Sequence, residues 1–402
     1  MALTLLKNQG LTDAQTSTST SNICEPATAA NGAQQFMTGN WFASSSANSG
    51  VNWTYISPYT RFPATAGGFC CDQLVLFNPK YKIWIWLLQY SQGTNGENIF
   101  RLAISREASF GSWYWWDFAS SGGLSSWAGN WLDYPDMAFT TEQLFITFNM
   151  FKGNVWQRAA VFRMPLATLA SGGSLGYQRW TTTSNGSIRL CRGPGTVMYM
   201  GSHNTASQLR VFNWPDNSLS LSWNDVNVRS WLGGAYSATG PGGINWLGRT
   251  DSRITGAWMG AGVLGFMWTA NRDGSHPLPY IRVVRVNAAN KTRLDEPDIW
   301  STTAAWAYPA AAANSAGAAA FTAFYGGGSF HPSHVVGLKT ATGWTTTFTK
   351  TGTHSPPQQS WGDYLSCTPY HPDGTQWVAS GYTLQGGTAR ANIEPRFVHF
   401  RA

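Results

Sequence analysis

The sequence predicts an all-β fold, a seven-bladed β-propeller forming a single domain over residues 1–402, and three observations carry that prediction. Composition is the first. With 43 Gly, 19 Pro and 14% aromatic but only 11% charged residues, the chain suits short strands joined by tight turns, and it is too apolar for disorder. The second is repetition. Ser360-Trp361-Gly362-Asp363-Tyr364-Leu365-Ser366 has a near copy in Trp131-Leu132-Asp133-Tyr134-Pro135-Asp136. Looser copies lie at Ile23-Cys24-Glu25-Pro26, Cys71-Asp72-Gln73 and Thr250-Asp251-Ser252-Arg253. Each puts an acidic residue ahead of a short apolar strand, and the spacing fits a unit of roughly 55 residues. The third is a shortfall at the end. The last unit lacks an outer strand, which Leu3 to Lys7 supplies, closing the ring and removing an exposed sheet edge. Six blades is the rival count.

Taken in order, residues 1–22 form the closing strand and a Ser/Thr-rich connector. Unit one holds Ala27 to Ala30, Gln35 to Phe42 and Val51 to Ser57, with its third strand poorly marked. Unit two holds Asp72 to Phe77, Ile83 to Tyr90, Ile99 to Ser105 and Trp113 to Phe118. Within it, Lys82-Ile83-Trp84-Ile85-Trp86-Leu87-Leu88 is the pattern of a strand packed on both faces. Unit three runs Asp136 to Phe139, Leu144 to Asn149, Gln157 to Met164 and Gly176 to Thr181. Unit four keeps the rhythm in Thr196 to His203, Gln208 to Asn213 and Leu219 to Trp223, but Arg189 and Arg192 stand where an acid is expected. Unit five has Ser252 to Met259, Val263 to Ala270, Tyr280 to Val286 and Pro297 to Trp300. Unit six has Ala307 to Ala313, Ala318 to Tyr325, Ser333 to Leu338 and Trp344 to Lys350. Unit seven has Asp363 to Pro369, Gln376 to Thr383 and Pro395 to Phe400.

The formal charge of +7 comes from scattered Lys and Arg without a basic run, which argues against nucleic acid as a partner. No stretch approaches the ~18 uninterrupted apolar residues of a membrane span. The first ten residues lack the charged and apolar regions of a signal peptide, so the expectation is a mature extracellular chain, with a cytosolic protein as the alternative. Five Cys is an odd number. Cys24, Cys70, Cys71, Cys191 and Cys367 all fall near unit starts, where disulfides between neighbouring units are feasible, and none has zinc-site spacing.

In a propeller, inner strands start on the face where second strands end and third strands begin. That face collects the candidate catalytic residues Asp72, Asp133, Tyr134, His203, Asp251, Asp363 and Tyr364. The candidate substrate-binding residues are Trp131, Trp246 and Trp361 in loops before anchor acids, with Arg101, Arg282 and Arg396 at third-strand starts. Carboxylates and phenols at one mouth suit general acid–base or nucleophilic chemistry on a glycan, by hydrolysis or by β-elimination. The structural alternative is that each acid pairs with an arginine and locks the blades. No cofactor is expected. Ca²⁺ is the one metal that clustered carboxylates would suit, although no EF-hand-like loop is present.

Trp361-Gly362-Asp363-Tyr364, Asp133-Tyr134-Pro135, Cys70-Cys71-Asp72-Gln73 and Glu25-Pro26 together resemble secreted sialidase-like β-propeller proteins, in a branch without Asp boxes. The resemblance implies a propeller directed at a glycan or polysaccharide. A lectin-like or protein-interaction scaffold is the alternative to an enzyme.

Overall fold

A computed structural model describes residues 2–65, 67–107, 109–122 and 124–402. Seven four-stranded antiparallel sheets form the blades. Their inner strands touch in cyclic order, blade 1 to blade 7 and back to blade 1.

Blade 1 is Ala27–Asn31, Gln34–Thr38, Ala43–Ser46 and Thr54–Ile56. Its third strand, poorly marked in sequence, is Ala-Ser-Ser-Ser, which carries no apolar alternation. Blade 2 is Phe69–Asn78, Ile83–Tyr90, Ile99–Ser105 and Tyr114–Ala119. As the alternation predicts, every residue of Ile83–Tyr90 is buried. Blade 3 is Asn130–Phe139, Gln143–Lys152, Val155–Pro165 and Gln178–Thr182.

Blade 4 has a two-residue inner strand, Arg189–Leu190, then Val197–Thr205, Gln208–Pro215 and Ser222–Asn227. The short strand is compensated across the ring. Arg192 N donates to Ala257 O, while Met259 N and Ala313 N donate to Arg192 O, each at 3.1 Å. This stitching needs Gly193, because a Cβ there would lie 1.8 Å from Met259 O.

Blade 5 is Ile254–Gly260, Val263–Ala270, Tyr280–Asn287 and Arg293–Asp295. The expected fourth strand at 297–300 makes only a single bridge, Ile281 to Ile299. Asp298 and Glu296 are instead drawn onto the fully buried Arg282 at 2.8 and 2.9 Å. Blade 6 is Ala305–Ala313, Ala319–Gly327, Phe330–Lys339 and Trp344–Lys350. Its inner strand lies close against blade 5: a Cβ on Gly256 would meet the backbone N of Ala311 at 3.3 Å and the Cα of Ala310 at 3.4 Å.

Blade 7 combines Cys367–Pro369, Trp377–Leu384 and Ile393–Arg401 with the N-terminal Thr4–Gly10 as its outer strand. Thr4 pairs with Arg401 and Gly10 with Arg396, so the ring closes as the sequence predicts. No helix among the described residues is long and apolar enough to cross a membrane.

Candidate functional site

The inner-strand starts converge at one mouth of the central channel, but their residues are not repeats of one acid. Glu25, Tyr134, Ser187 and Tyr308 sit two residues ahead of Ala27, Asp136, Arg189 and Ala310, which pair with Thr38, Thr147, Gly201 and Thr322 of their second strands. All four have left-handed backbones, with φ of 47°, 56°, 49° and 56°. Three precede a proline, Pro26, Pro135 and Pro309, where a helical backbone is further disfavoured. Strain held at matching places in separate blades marks a site that the ring over-determines. Asp72 lies in the bulge of blade 2's inner strand, Arg253 directly precedes that of blade 5, and Tyr364 lies three residues ahead of that of blade 7. The seven blades thus present Glu, Asp, Ser, Arg and three Tyr at this level rather than one repeated group.

The pairing of the acids divides them. Asp363 receives Arg249 Nε at 3.1 Å and Nη2 at 2.8 Å, with Arg253 at 3.7 Å. Asp251 pairs with Arg253 at 2.5 Å. Asp133 accepts Gln89 Nε2 at 3.1 Å and, among the described residues, has no arginine partner. Asp72 and Glu25, 8% and 4% exposed, likewise have none.

The chemistry follows from that division. Burial, then the charges of Asp72 and Asp363, push Glu25 well above the usual carboxylate range. Burial, then Asp133, push Asp72 up to about 7, with Tyr364 and Glu25 pulling in the other direction. Burial also raises Tyr134 and Tyr364, whose rings meet edge to face at 5.8 Å. Burial alone would lower Arg253, but Tyr134, Asp251 and Asp363 more than reverse it, and its guanidinium lies 3.7 Å from the centre of the Tyr134 ring. The mouth thus holds two carboxyls raised by burial, Asp72 to about 7, and two phenols, ringed by ion pairs. No group of three metal-ligating side chains occurs among the described residues.

Several expected site residues lie elsewhere. His203 is clamped between blades 4 and 5, its Nε2 donating to Ser252 O at 2.8 Å and its ring packed on Trp231 and Trp268 at 4.7 and 4.8 Å. Burial lowers it to about 4, so it is neutral. Arg101, Arg282 and Arg396 sit on third strands, too far from the axis, and find partners inside their own blades. Arg101 forms a bidentate pair with Asp117 at 2.6 and 2.7 Å, Arg282 binds Asp298 and Glu296, and Arg396 binds Glu394 and Asn8.

Trp246 and Trp361 are fully buried and unavailable to a sugar. Trp361 stacks on Tyr382 at 4.3 Å and meets Phe324 at 5.4 Å. Trp361→Ala is expected to cost about 3–5 kcal/mol of unfolding free energy, measured by urea denaturation. A variant of unchanged stability would contradict this placement. Trp131 is half-buried, stacked on Phe151 at 5.2 Å with its indole N–H donating to Gly153 O at 2.8 Å.

The disulfide also departs from expectation. Cys70 bonds its neighbour Cys71 rather than a Cys of another unit, while Cys24, Cys191 and Cys367 are buried free thiols. The bonded pair sits in the bulge between Phe69 and Gln73, immediately ahead of Asp72.

Sequence reasoning missed four features. Glu25 was expected only as a blade anchor. Arg249 and Arg253 lie in an irregular segment without periodicity. Asp136, rather than Asp133, is the acid that locks blade 3 to blade 4, pairing with Arg192 at 2.5 Å and Arg189 at 3.3 Å. The unexpected arginines of unit four were the signal for it. An open groove of about 450 Å³ also leaves the mouth, lined by Asn149, Phe151, Trp156, Ser187, Asp251 and Arg253 among others. A more enclosed cavity of about 250 Å³ lies at the opposite channel end, but its walls are mainly apolar, with Leu76, Phe77 and Phe139, so the polar chemistry belongs to the mouth.

The sequence matches no family model and no curated protein. Solved structures share its architecture at low identity. A protein of unknown function from Dyadobacter fermentans superposes with a TM-score of 0.50 at 8% identity, covering 84% of this chain and 96% of that one. The α-L-arabinofuranosidase Arb93A from Fusarium graminearum gives 0.49 at 9% identity, covering 98% and 97%. Trypanosoma rangeli sialidase in complex with sialic acid gives 0.43 at 8% identity, covering 87% and 55%. At such identities the likeness is one of fold alone, that of a β-propeller.

Proposed function

We propose that the chain is a carbohydrate-directed propeller that cleaves a glycosidic bond at this channel mouth, with Glu25 as proton donor and Asp72 as its carboxylate partner. One observation carries the proposal: two buried carboxyls side by side without an arginine. A scaffold gains nothing from that arrangement, since unpaired buried acids cost stability. Glycoside cleavage requires it, because one carboxyl must hold a proton while the other is available as base or nucleophile. Tyr364 beside Asp72 is placed to steady the charge that Asp72 carries. The Cys70–Cys71 disulfide favours an oxidising, extracellular setting.

A lectin-like or protein-interaction scaffold is the second reading. It is favoured by the enclosure of Glu25 and Asp72 beneath Tyr134 and the Arg249–Asp363–Arg253 ion pairs. A broad polysaccharide panel, followed by reducing ends and by absorbance of unsaturated uronates, separates the two. Hydrolysis is expected, and Glu25→Gln should reduce it about 10²–10⁴-fold while the protein stays folded. Ligand binding without turnover would leave the scaffold; activity surviving Glu25→Gln would remove this acid from the mechanism.

A further inference from the structure

We propose that the groove leaving the mouth across blades 3 and 4 is the subsite for a neutral sugar ring, and that the site discriminates against uronic and sialic acids. This rests on the carbohydrate reading above and assigns its substrate class. The groove has the right materials in a preorganised wall. Phe151 and Trp156 are half-buried, so each keeps an exposed part for the C–H face of a sugar. Trp156 Nε1 donates to Asn149 Oδ1 at 3.3 Å. The same oxygen accepts Ser187 N at 2.8 Å, and Asn149 Nδ2 donates to Ser187 Oγ at 2.9 Å. Gly186 allows the indole to sit here, since a Cβ would lie 3.3 Å from its Nε1. The Ser187 hydroxyl proton and the Asp251 carboxylate, 46% exposed, remain available to sugar hydroxyls.

Charge supplies the selection. A carboxylated sugar needs a free guanidinium, and among the described residues the two arginines at the rim of the mouth, Arg249 and Arg253, are both paired. Arg253 is shared between Asp251 and Asp363 and stacked on Tyr134, and Arg249 is committed to Asp363. With Glu25 and Asp72 set aside, Asp133, Asp136, Asp251 and Asp363 are matched by Arg189, Arg192, Arg249 and Arg253. No unmatched positive charge is left to hold an anionic ring, and the arginine-free Glu25 and Asp72 can only add negative charge against it, while a neutral ring is unaffected.

Calorimetric titration of wild type and of Glu25→Gln, which removes any dependence on turnover, tests the proposal. The probes are the neutral arabino-, xylo-, gluco-, galacto- and mannotrioses, against trigalacturonate and sialyllactose. At least one neutral trisaccharide should bind, and both acidic probes should bind at least about tenfold more weakly. Trp156→Ala should weaken the neutral probe at least about tenfold with an unchanged melting temperature. Asp251→Asn, at an exposed position, should narrow the gap between neutral and acidic probes, whatever the folding of the tryptophan variant. Acidic probes binding as tightly as neutral ones, no neutral probe binding, full affinity in a folded Trp156→Ala, or an unchanged gap in Asp251→Asn would each overturn it. Binding of neutral sugars without turnover would remove only the catalytic reading; cleavage of a uronate or sialoside would remove only this one.

Discussion

Asp136→Ala is expected to cost on the order of 3–5 kcal/mol of unfolding free energy, enough to threaten folding of the whole ring. The carboxylate is 2% exposed and takes Arg192 Nη2 at 2.5 Å and Arg189 Nε at 3.3 Å. It also accepts Leu190 N at 2.8 Å and Met137 N at 2.9 Å. Removing it strands two buried guanidiniums in the shortest inner strand of the propeller. Asp136→Asn keeps a backbone acceptor but not the charge, so its loss should be intermediate. Urea denaturation of both variants measures this. An alanine variant within about 1 kcal/mol of wild type would show that the two arginines relax to water and that the ring does not depend on this acid.

Asp72→Asn should do the reverse: stabilise the protein above neutral pH and abolish its turnover. The folded-state pKa of Asp72, about 7, is raised above its unfolded value, so its contribution to stability is fully present below about pH 4 and is lost as pH rises through 7. The amide has no such loss. The variant should therefore match wild type near pH 4 and exceed it by on the order of 2–4 kcal/mol at pH 8. His334, His371 and His399, lowered by burial, act oppositely, losing stability as pH falls below their unfolded range. The difference between the two proteins, not either melting curve alone, is thus the quantity to read. Glu25, Asp133, Asp363 and Tyr364 face Asp72 and remain in both. If Asp72→Asn is less stable at pH 8, the acid has a structural partner and the catalytic proposal loses its main support. If it is more stable but still turns substrate over, Asp72 is not the base or nucleophile.

The arginines show how far sequence reasoning reaches. Arg189 and Arg192 were visible as departures from the acidic pattern, but their partner Asp136 lies on the neighbouring blade. Strand order alone placed Arg101, Arg282 and Arg396 on the right face, yet their radial distance puts them within reach of Asp117, Asp298 and Glu394 rather than of the channel. Trp246 and Trp361 have loop-like surroundings in sequence; packing from other blades buries them. Trp156, by contrast, falls just ahead of the strand expected at Gln157 to Met164 and carries no mark in the sequence; it lies in the strand Val155–Pro165, where the edge of the groove leaves it half open.

What the sequence by itself determined is the all-β class, the seven units, most strand positions and the closure by the N-terminal strand. These depend on local alternation, on turn residues and on one missing strand, all of which are written along the chain. What only the tertiary structure decided is which acids are paired. Arg249 and Asp363 are 114 residues apart, and Glu25 is pushed above the usual carboxylate range because ring closure takes it out of water and sets Asp72 and Asp363 against it. Charge, burial and strain at the mouth are properties of the closed ring. No single repeat contains the groups that produce them.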